Sequence, residues 1–252
     1  MGAAMRTIGL IGSGLLGRTL ARLAVGAGFD VILSNSRGPE TLSELVGELG
    51  ERARAGTPEV AAESGDVIIA AIPLRSYQRL PVTALTDKTV IDTMNLYPPR
   101  DGDIEELNGG EVTSSTLVQR HLVESKVVKA FNNLGFYQLY TLAGPPKGQG
   151  RSALPIASDH DDAKQEVAQL MDAMGFDAVD IGTLADSWRS EPNTPASGQA
   201  YLPVRPEGMA PEELRRWIFE TPGVPVPADR LRELIHQAQR APRSHGAGGN
   251  TG

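Results

Sequence analysis

The chain has 252 residues, 40% hydrophobic and 22% charged, with a formal charge of −7 and no cysteine. Such a length buries a real core in one large domain, or in one domain with a small appendage. The negative charge argues against a nucleic-acid partner gripped through its phosphates, and the missing thiols exclude disulfides, thiolate metal sites and a cysteine nucleophile, a composition that suits a reducing cytoplasm.

The four histidines, His121, His160, His236 and His245, lie far apart without ligand-like spacing, so no metal site is expected. Met1 to Arg6 carries one basic residue ahead of a short apolar run, which reads as the approach to a first strand and not as a signal peptide. Arg6 stands where a myristoylation motif requires Ser or Thr. No run approaches the roughly 20 apolar residues of a membrane span, and no membrane partner is expected.

From there to about residue 181, apolar β-branched runs alternate with helical patterns. Strands are predicted at Thr7–Ile11, Asp30–Ser34, Val67–Ile72, Val90–Asp92, Val127–Phe131, Leu154–Ala157 and Ala178–Ile181, with a weaker one at Ala53–Ala55. Helices fit at Leu15–Gly26, Pro39–Leu49, Pro58–Glu63, Ser115–Val123, Tyr137–Leu142 and Asp161–Met174. This alternation predicts an α/β fold with a doubly wound, mostly parallel sheet over residues 1–182. Residues 183–240 then read as a proline-rich extension with two short amphipathic helices, Pro211–Phe219 and Pro227–Gln239. Residues 241–252, rich in Gly, Ser, Pro and Asn, read as a disordered tail.

Gly12-Ser13-Gly14-Leu15-Leu16-Gly17 follows the first strand and opens the first helix, the setting that turns a weak G-x-G-x-x-G pattern into a Rossmann-like dinucleotide site. Gly12 permits the tight turn, Gly14 lets the backbone approach a pyrophosphate, and Gly17 lets helix and strand pack closely. The helix N-terminus faces the anion with free N–H groups. The plainer alternative is a glycine-rich turn that binds nothing. The second strand ends in Ser34-Asn35-Ser36-Arg37, without the carboxylate that binds a ribose 2′-hydroxyl. Arg37 and Ser36 suit a 2′-phosphate, so the expected cofactor is NADP(H). Asn35–Gly38 also reads as a capped turn, and both readings can hold. Ala71, Ile72 and Pro73 after the fourth strand, and Thr93, Met94 and Asn95 after the fifth, line the same crevice, with Asn95 a candidate for nicotinamide or substrate.

These residues resemble the NADPH-dependent reductases of the deazaflavin coenzyme F420, the 8-hydroxy-5-deazaflavin:NADP oxidoreductases. The resemblance covers about residues 6–195 and rests on the blocks Ile8–Gly14, Asn35–Leu42, Val90–Asn95, Val127–Asn132, Leu154–Asp159 and Gly175–Leu184. It implies hydride transfer between nicotinamide C4 and deazaflavin C5, with Ser13, Ser36 and Arg37 holding NADP and with Asn132 and Leu154 near the deazaflavin. Asn132 replaces a histidine of the archaeal members. The proline-rich stretch after Pro195 replaces their apolar final helix.

Lys129 with Asn132 or Asn133 is similar to the lysine-asparagine pairs of hydroxyacid dehydrogenases, where lysine acts in proton transfer. The alternative is a strand-end lysine facing solvent or a cofactor phosphate. Asp66 and Asp92 read as caps or turn residues. Two functions follow: an enzyme passing hydride between NADP(H) and F420 or a related flavin, imine or other small acceptor, and a regulator that senses NADP(H) without turnover. The aromatic residues Trp188, Tyr201, Trp217 and Phe219 lead to the expectation of a homodimer whose extension covers a neighbour's active-site mouth, against the alternative that the extension finishes its own core.

Overall fold

A computed structural model describes residues 6–145, 148 and 150–240. The tail predicted at 241–252 and the leader Met1–Met5 lie outside the described residues. The chain alternates β1 (Thr7–Ile11), α1 (Leu15–Gly26), β2 (Asp30–Ser34), α2 (Ser43–Leu49), β3 (Ala53–Ala55), α3 (Pro58–Ser64) and β4 (Val67–Ala70). There follow β5 (Thr89–Asp92), α4 (Pro98–Asp101), α5 (Glu105–Asn108), α6 (Ser114–His121), β6 (Lys126–Lys129), α7 (Phe136–Leu142), β7 (Ala153–Ile156), α8 (Asp161–Ala173) and β8 (Asp177–Asp180). Two further helices close it, α9 (Pro211–Glu220) and α10 (Ala228–Gln237).

Six parallel strands form a sheet in the order β3-β2-β1-β4-β5-β6, the doubly wound α/β architecture expected from the alternation. Parallel β7 and β8 form a separate pair, joined to the sheet by an antiparallel bridge between Lys129 and Ala157. The strands read as unbroken apolar runs because both faces are covered. Alternate residues feed two cores: Ile8, Leu10, Val67, Ile69, Ile91 and Val128 on one side, Ile68, Ala70, Val90 and Val127 on the other.

Four strands end short of expectation, β7 at Ile156 and β8 at Asp180 by one residue and two others by two. The fourth strand stops at Ala70, not Ile72: the Ala71 N–H still reaches the Ile11 carbonyl (2.8 Å), but Pro73 has no N–H with which to continue the ladder. The sixth stops at Lys129, not Phe131, because Phe131 lies in the left-handed region (φ 56°). The four-residue α4 and α5 and the 3-10 turns Leu74–Arg79, Leu184–Ser190 and Gly198–Tyr201 escaped the pattern reading, being too short to show a period.

Most of the extension packs on its own domain. The Ala153 N–H donates to Val226 O (2.7 Å), the fully buried Tyr201 donates its hydroxyl to Ala153 O (2.8 Å), and α10 buries Leu231, Leu234 and Ile235. Helix α9 is the exception. It buries none of its residues and is tied to α7 through the Gln138 amide, which donates to the carbonyls of Ile218 (2.9 Å) and Thr221 (2.6 Å).

Candidate active site

The three glycines do three different things. Gly12 has φ +108°, and a Cβ there would meet Ala71 O at 2.3 Å. A Cβ on Gly17 would meet Gly12 O at 2.0 Å, so helix and strand touch through bare backbone. At Gly14 a Cβ would meet nothing within 4 Å: this residue caps α1 and faces open space, where a pyrophosphate has room. Leu15 and Leu16 open the helix beside that space, Leu15 being exposed and Leu16 half-buried. The turn is fixed from below by the Gly12 N–H donating to Ser34 O (3.0 Å) and by the Ser34 hydroxyl donating to Leu10 O (2.9 Å).

At the end of β2, the Asn35 amide donates to Ser13 Oγ (3.2 Å) and Thr41 Oγ1 (2.9 Å), and Asn35 Oδ1 accepts from the Arg37 N–H (2.8 Å). Asn35 thus builds the turn and ties it to the glycine loop. Ser36 and Arg37 remain exposed, and Arg37 has no ion-pair partner among the described residues. The sugar-facing end of the crevice therefore presents a hydroxyl and a free guanidinium, the chemistry that fits a 2′-phosphate.

The other end of the crevice lies over β4, β5 and β6. Ala71, Ile72 and Pro73 are half-buried along it. Asn95 and Asn132 are both buried and bonded to each other: Asn95 Nδ2 donates to Asn132 O (2.7 Å), and Asn132 Nδ2 donates to Asn95 Oδ1 (3.1 Å). Asn132 Nδ2 also donates to Ser190 O (3.0 Å), so the extension locks this pair. Leu154, expected near the deazaflavin, has its side chain sealed within the core and does not line the crevice.

One further expectation needs correction, and another is met only in part. Lys129 faces neither solvent nor a phosphate, being 1% exposed. Its Nζ lies 3.4 Å from Asp92 Oδ2 and donates to Ser114 Oγ (3.2 Å) and to Met94 O. Asp92 is a turn residue as expected, its Oδ1 accepting from the Met94 N–H two residues on (2.8 Å), but it is also buried as the cross-strand partner of Lys129 and accepts from Ser115 Oγ (2.7 Å). The pair clamps the Met94 peptide from both sides and so holds Asn95. Ser114 in turn donates its hydroxyl to Glu191 Oε1 (2.7 Å). The sequence signal was present: an acid and a lysine ending adjacent parallel strands in register.

Sequence reasoning also missed Asp101. Its buried carboxylate accepts from the Tyr97 N–H (2.8 Å) and from Arg100 Nε and Nη2 (3.0 and 2.8 Å), shaping the loop after β5. Burial alone would raise the pKa of this carboxyl, but the Arg100 guanidinium and the backbone N–H groups outweigh that and hold it below its ordinary value.

With this geometry in hand, residues 7–96 match the family described as NADP oxidoreductase, coenzyme F420-dependent. Over this nucleotide-binding stretch the chain is similar to that family. The solved structure of a hypothetical protein, SMa0349 from Sinorhizobium meliloti, is 33% identical with a TM-score of 0.65, covering 75% of this chain and 91% of that one. A protein of Arthrobacter sp. FB24 assigned as an F420-dependent NADP-reductase has a TM-score of 0.61, covering 73% and 87%; at 21% identity the likeness is one of fold. Metalloreductase STEAP3 of Rattus norvegicus is 32% identical over 182 residues, 71% of this chain and 34% of that protein. The uncharacterized oxidoreductase YfjR of Bacillus subtilis is 29% identical over 179 residues, 69% of this chain and 56% of that one. The chain thus spans from about a third to just over half the length of these two curated relatives. The family matched over residues 7–96 is one of NADP-dependent oxidoreductases. Among the described residues no helix is long and apolar enough to cross a membrane, and no cluster of three acidic or histidine side chains is placed to hold a metal ion.

Proposed function

We propose that the protein passes hydride between NADP(H) and a flat conjugated acceptor of the deazaflavin type, coenzyme F420. The observation that carries this reading is the chemistry of the crevice floor. Its polar groups are the neutral amides of Asn95 and Asn132, whereas the ionisable pair beneath them, Asp92 and Lys129, is sealed and mutually engaged. The exposed Tyr97, whose hydroxyl lies 3.5 Å from Asn95 Nδ2, is a phenol donor beside these amides, whereas a deazaflavin acceptor asks for no proton from it. NADPH held in this crevice would supply hydride-transfer chemistry at its nicotinamide ring. The protein's part is positioning: Gly14 and the α1 N-terminus seat the pyrophosphate, Ser36 and Arg37 select the 2′-phosphate, and the Asn95–Asn132 pair shapes the floor on which the rings stack.

The test is to mix the protein with NADPH and F420 and follow the reduced-nicotinamide and oxidised-deazaflavin absorbance bands, which should fall together. Tight NADPH binding with no change in either band overturns the enzyme reading and leaves an NADP(H) sensor. Turnover with FMN alone moves the acceptor class to flavins.

The homodimer is likewise our proposal, now centred on α9. Exposed apolar residues gather where α9 meets α7: Tyr140, Ile218, Phe219 and Val224, with Phe136 and Phe219 stacked at 6.0 Å. A second copy covering that patch is the simplest closed assembly. Ile218→Glu should then convert a dimer to a monomer in light scattering, and a wild-type monomer sinks the idea.

A further inference from the structure

We propose that Arg75 is a recognition residue for an anionic group, a phosphate or carboxylate, carried by the hydride acceptor; the inference rests on the acceptor reading above. Arg75 lies in the 3-10 turn Leu74–Arg79, directly after the Ile72-Pro73 edge of the crevice. Its guanidinium is exposed, donates from Nη1 to Arg100 O (2.8 Å), and has no carboxylate partner among the described residues. That bond sets it against the loop after β5. There Arg100 is consumed by Asp101 and by Asn95 O (2.9 Å), and lies over the exposed Tyr97 ring at 4.9 Å. Arg75 is thus a pre-placed cation on a rigid rim. Asp101, which meets the Arg75 backbone N–H at 3.5 Å, is committed to Arg100 and to backbone N–H groups.

The position says which anion it meets. Arg37 follows β2 and Arg75 follows β4, while Tyr97 and Arg100 follow β5; in the sheet order, β2 and β5 flank β1 and β4 from opposite sides. The nucleotide's phosphates would therefore be served at the β1–β2 end, by the α1 N-terminus and Arg37, while Arg75, held on the loop after β5, belongs to the β4–β5 end left for the acceptor. In a chain of net charge −7, a spare cation fixed at that mouth favours an acceptor with a negative tail. Tyr97 beside it offers an aromatic surface to the acceptor's ring system.

The experiment titrates NADP+-loaded protein with FMN and with riboflavin, which share a ring and differ by one phosphate, and repeats the comparison with F420 and its ring fragment lacking the anionic tail. Flavin or deazaflavin fluorescence reads binding; NADPH oxidation is followed separately. The wild type should prefer the anionic member of each pair by about tenfold to a hundredfold, less at high salt. Arg75→Ala should abolish that preference, Arg75→Lys should retain part of it, and neither should change affinity for NADPH or for the neutral member. Equal wild-type affinity for both members, no binding of either, or a loss of NADPH affinity in Arg75→Ala overturns the inference. A phosphate preference that depends on Arg75 without NADPH oxidation keeps this site and overturns the proposed activity; turnover with equal KM for both members does the reverse.

Discussion

At the end of β2, the hydrogen bonds that shape the turn join Arg37 to Asn35, Thr41 to Gly38 and Asn35 to Thr41, residues two, three and six apart. Those that tie it to the glycine loop, Asn35 to Ser13 and Gly12 to Ser34, span 22 residues within one βαβ unit. Around Asn132 hydrogen bonds join Asn132 to Ser190, Asn133 to Tyr201 and Ser114 to Glu191, across 58, 68 and 77 residues. The nucleotide end is thus written in local chain, and a motif can name it. The acceptor end is assembled by the fold, with the extension after Thr183 supplying Ser190, Glu191 and Tyr201 as its outer wall. This split also explains why cofactor class is easier to reach than acceptor identity.

The most severe way to break the nucleotide end is through glycine. Gly17→Ala puts a Cβ 2.0 Å from Gly12 O, and Gly12→Ala adds a positive-φ penalty to a 2.3 Å contact with Ala71 O. Each should cost more than about 4 kcal/mol in urea unfolding or abolish the cooperative transition. Gly14→Ala sharpens the contrast, because its Cβ meets nothing. Its unfolding midpoint should stay within about 0.5 kcal/mol of wild type, while NADPH affinity falls by at least about tenfold as the methyl enters the pyrophosphate's space. If Gly14→Ala unfolds like the other two, the division of roles among the glycines is wrong.

At the acceptor end the corresponding break is Lys129→Met, which leaves Asp92 in the core without its cationic partner. Removing one partner of a buried pair costs about 3–5 kcal/mol, largely for the stranded charge. The double variant Asp92→Asn with Lys129→Met should recover at least half of that, since Asn keeps an acceptor for the Met94 N–H and a polar partner for Ser115. Urea midpoints of the two proteins decide it. A double variant as unstable as the single one means that packing around the lysine stem, not charge, holds the clamp.

The strands were legible because each is a short apolar run between turn formers, and α1 because the glycine turn fixes its start. The site was legible where side chains act near their place in sequence, at Gly12 to Gly17 and Asn35 to Arg37. Lys129 and Asp92 show the limit: their types and strand-end positions are visible, but whether such a pair faces solvent or core depends on α6 and the Leu184–Ser190 turn packing above it. Leu154 shows another, since a strand residue's facing depends on which layer covers it, and β7 had to be placed beside β6 and α10 first. Asp101 was missed because a four-residue helix carries no period to announce it.

Arg37→Ala tests the nucleotide end more gently. An exposed guanidinium does nothing for the fold here, so unfolding should be unchanged. NADPH affinity should fall by about tenfold to a hundredfold while NADH affinity stays level, the loss expected of one charge-assisted phosphate contact. Equal losses for both nucleotides mean that Arg37 acts on the shared part of the cofactor.

The smallest expected effect lies in the loop after β5, where a single carboxylate does locally what the glycine turn does for β1. Asp101 holds the Tyr97 N–H and the Arg100 side chain, and its pKa is depressed in the folded protein. The unfolded chain therefore takes up the proton at higher pH than the folded one. The stabilisation from this group is fully present above the unfolded value and is lost as pH falls through the folded value. Asp101→Asn keeps an acceptor for Tyr97 but removes the charge that pairs with half-solvated Arg100, so it should cost about 1–2 kcal/mol at neutral pH. That gap should begin to close below pH of about 4 and vanish once Asp101 is protonated in the folded wild type. Urea midpoints of both proteins from neutral pH into acid measure it directly. A gap that stays constant across that range means that the loop is held by hydrogen-bond shape alone and that the Arg100 charge contributes nothing to the acceptor rim.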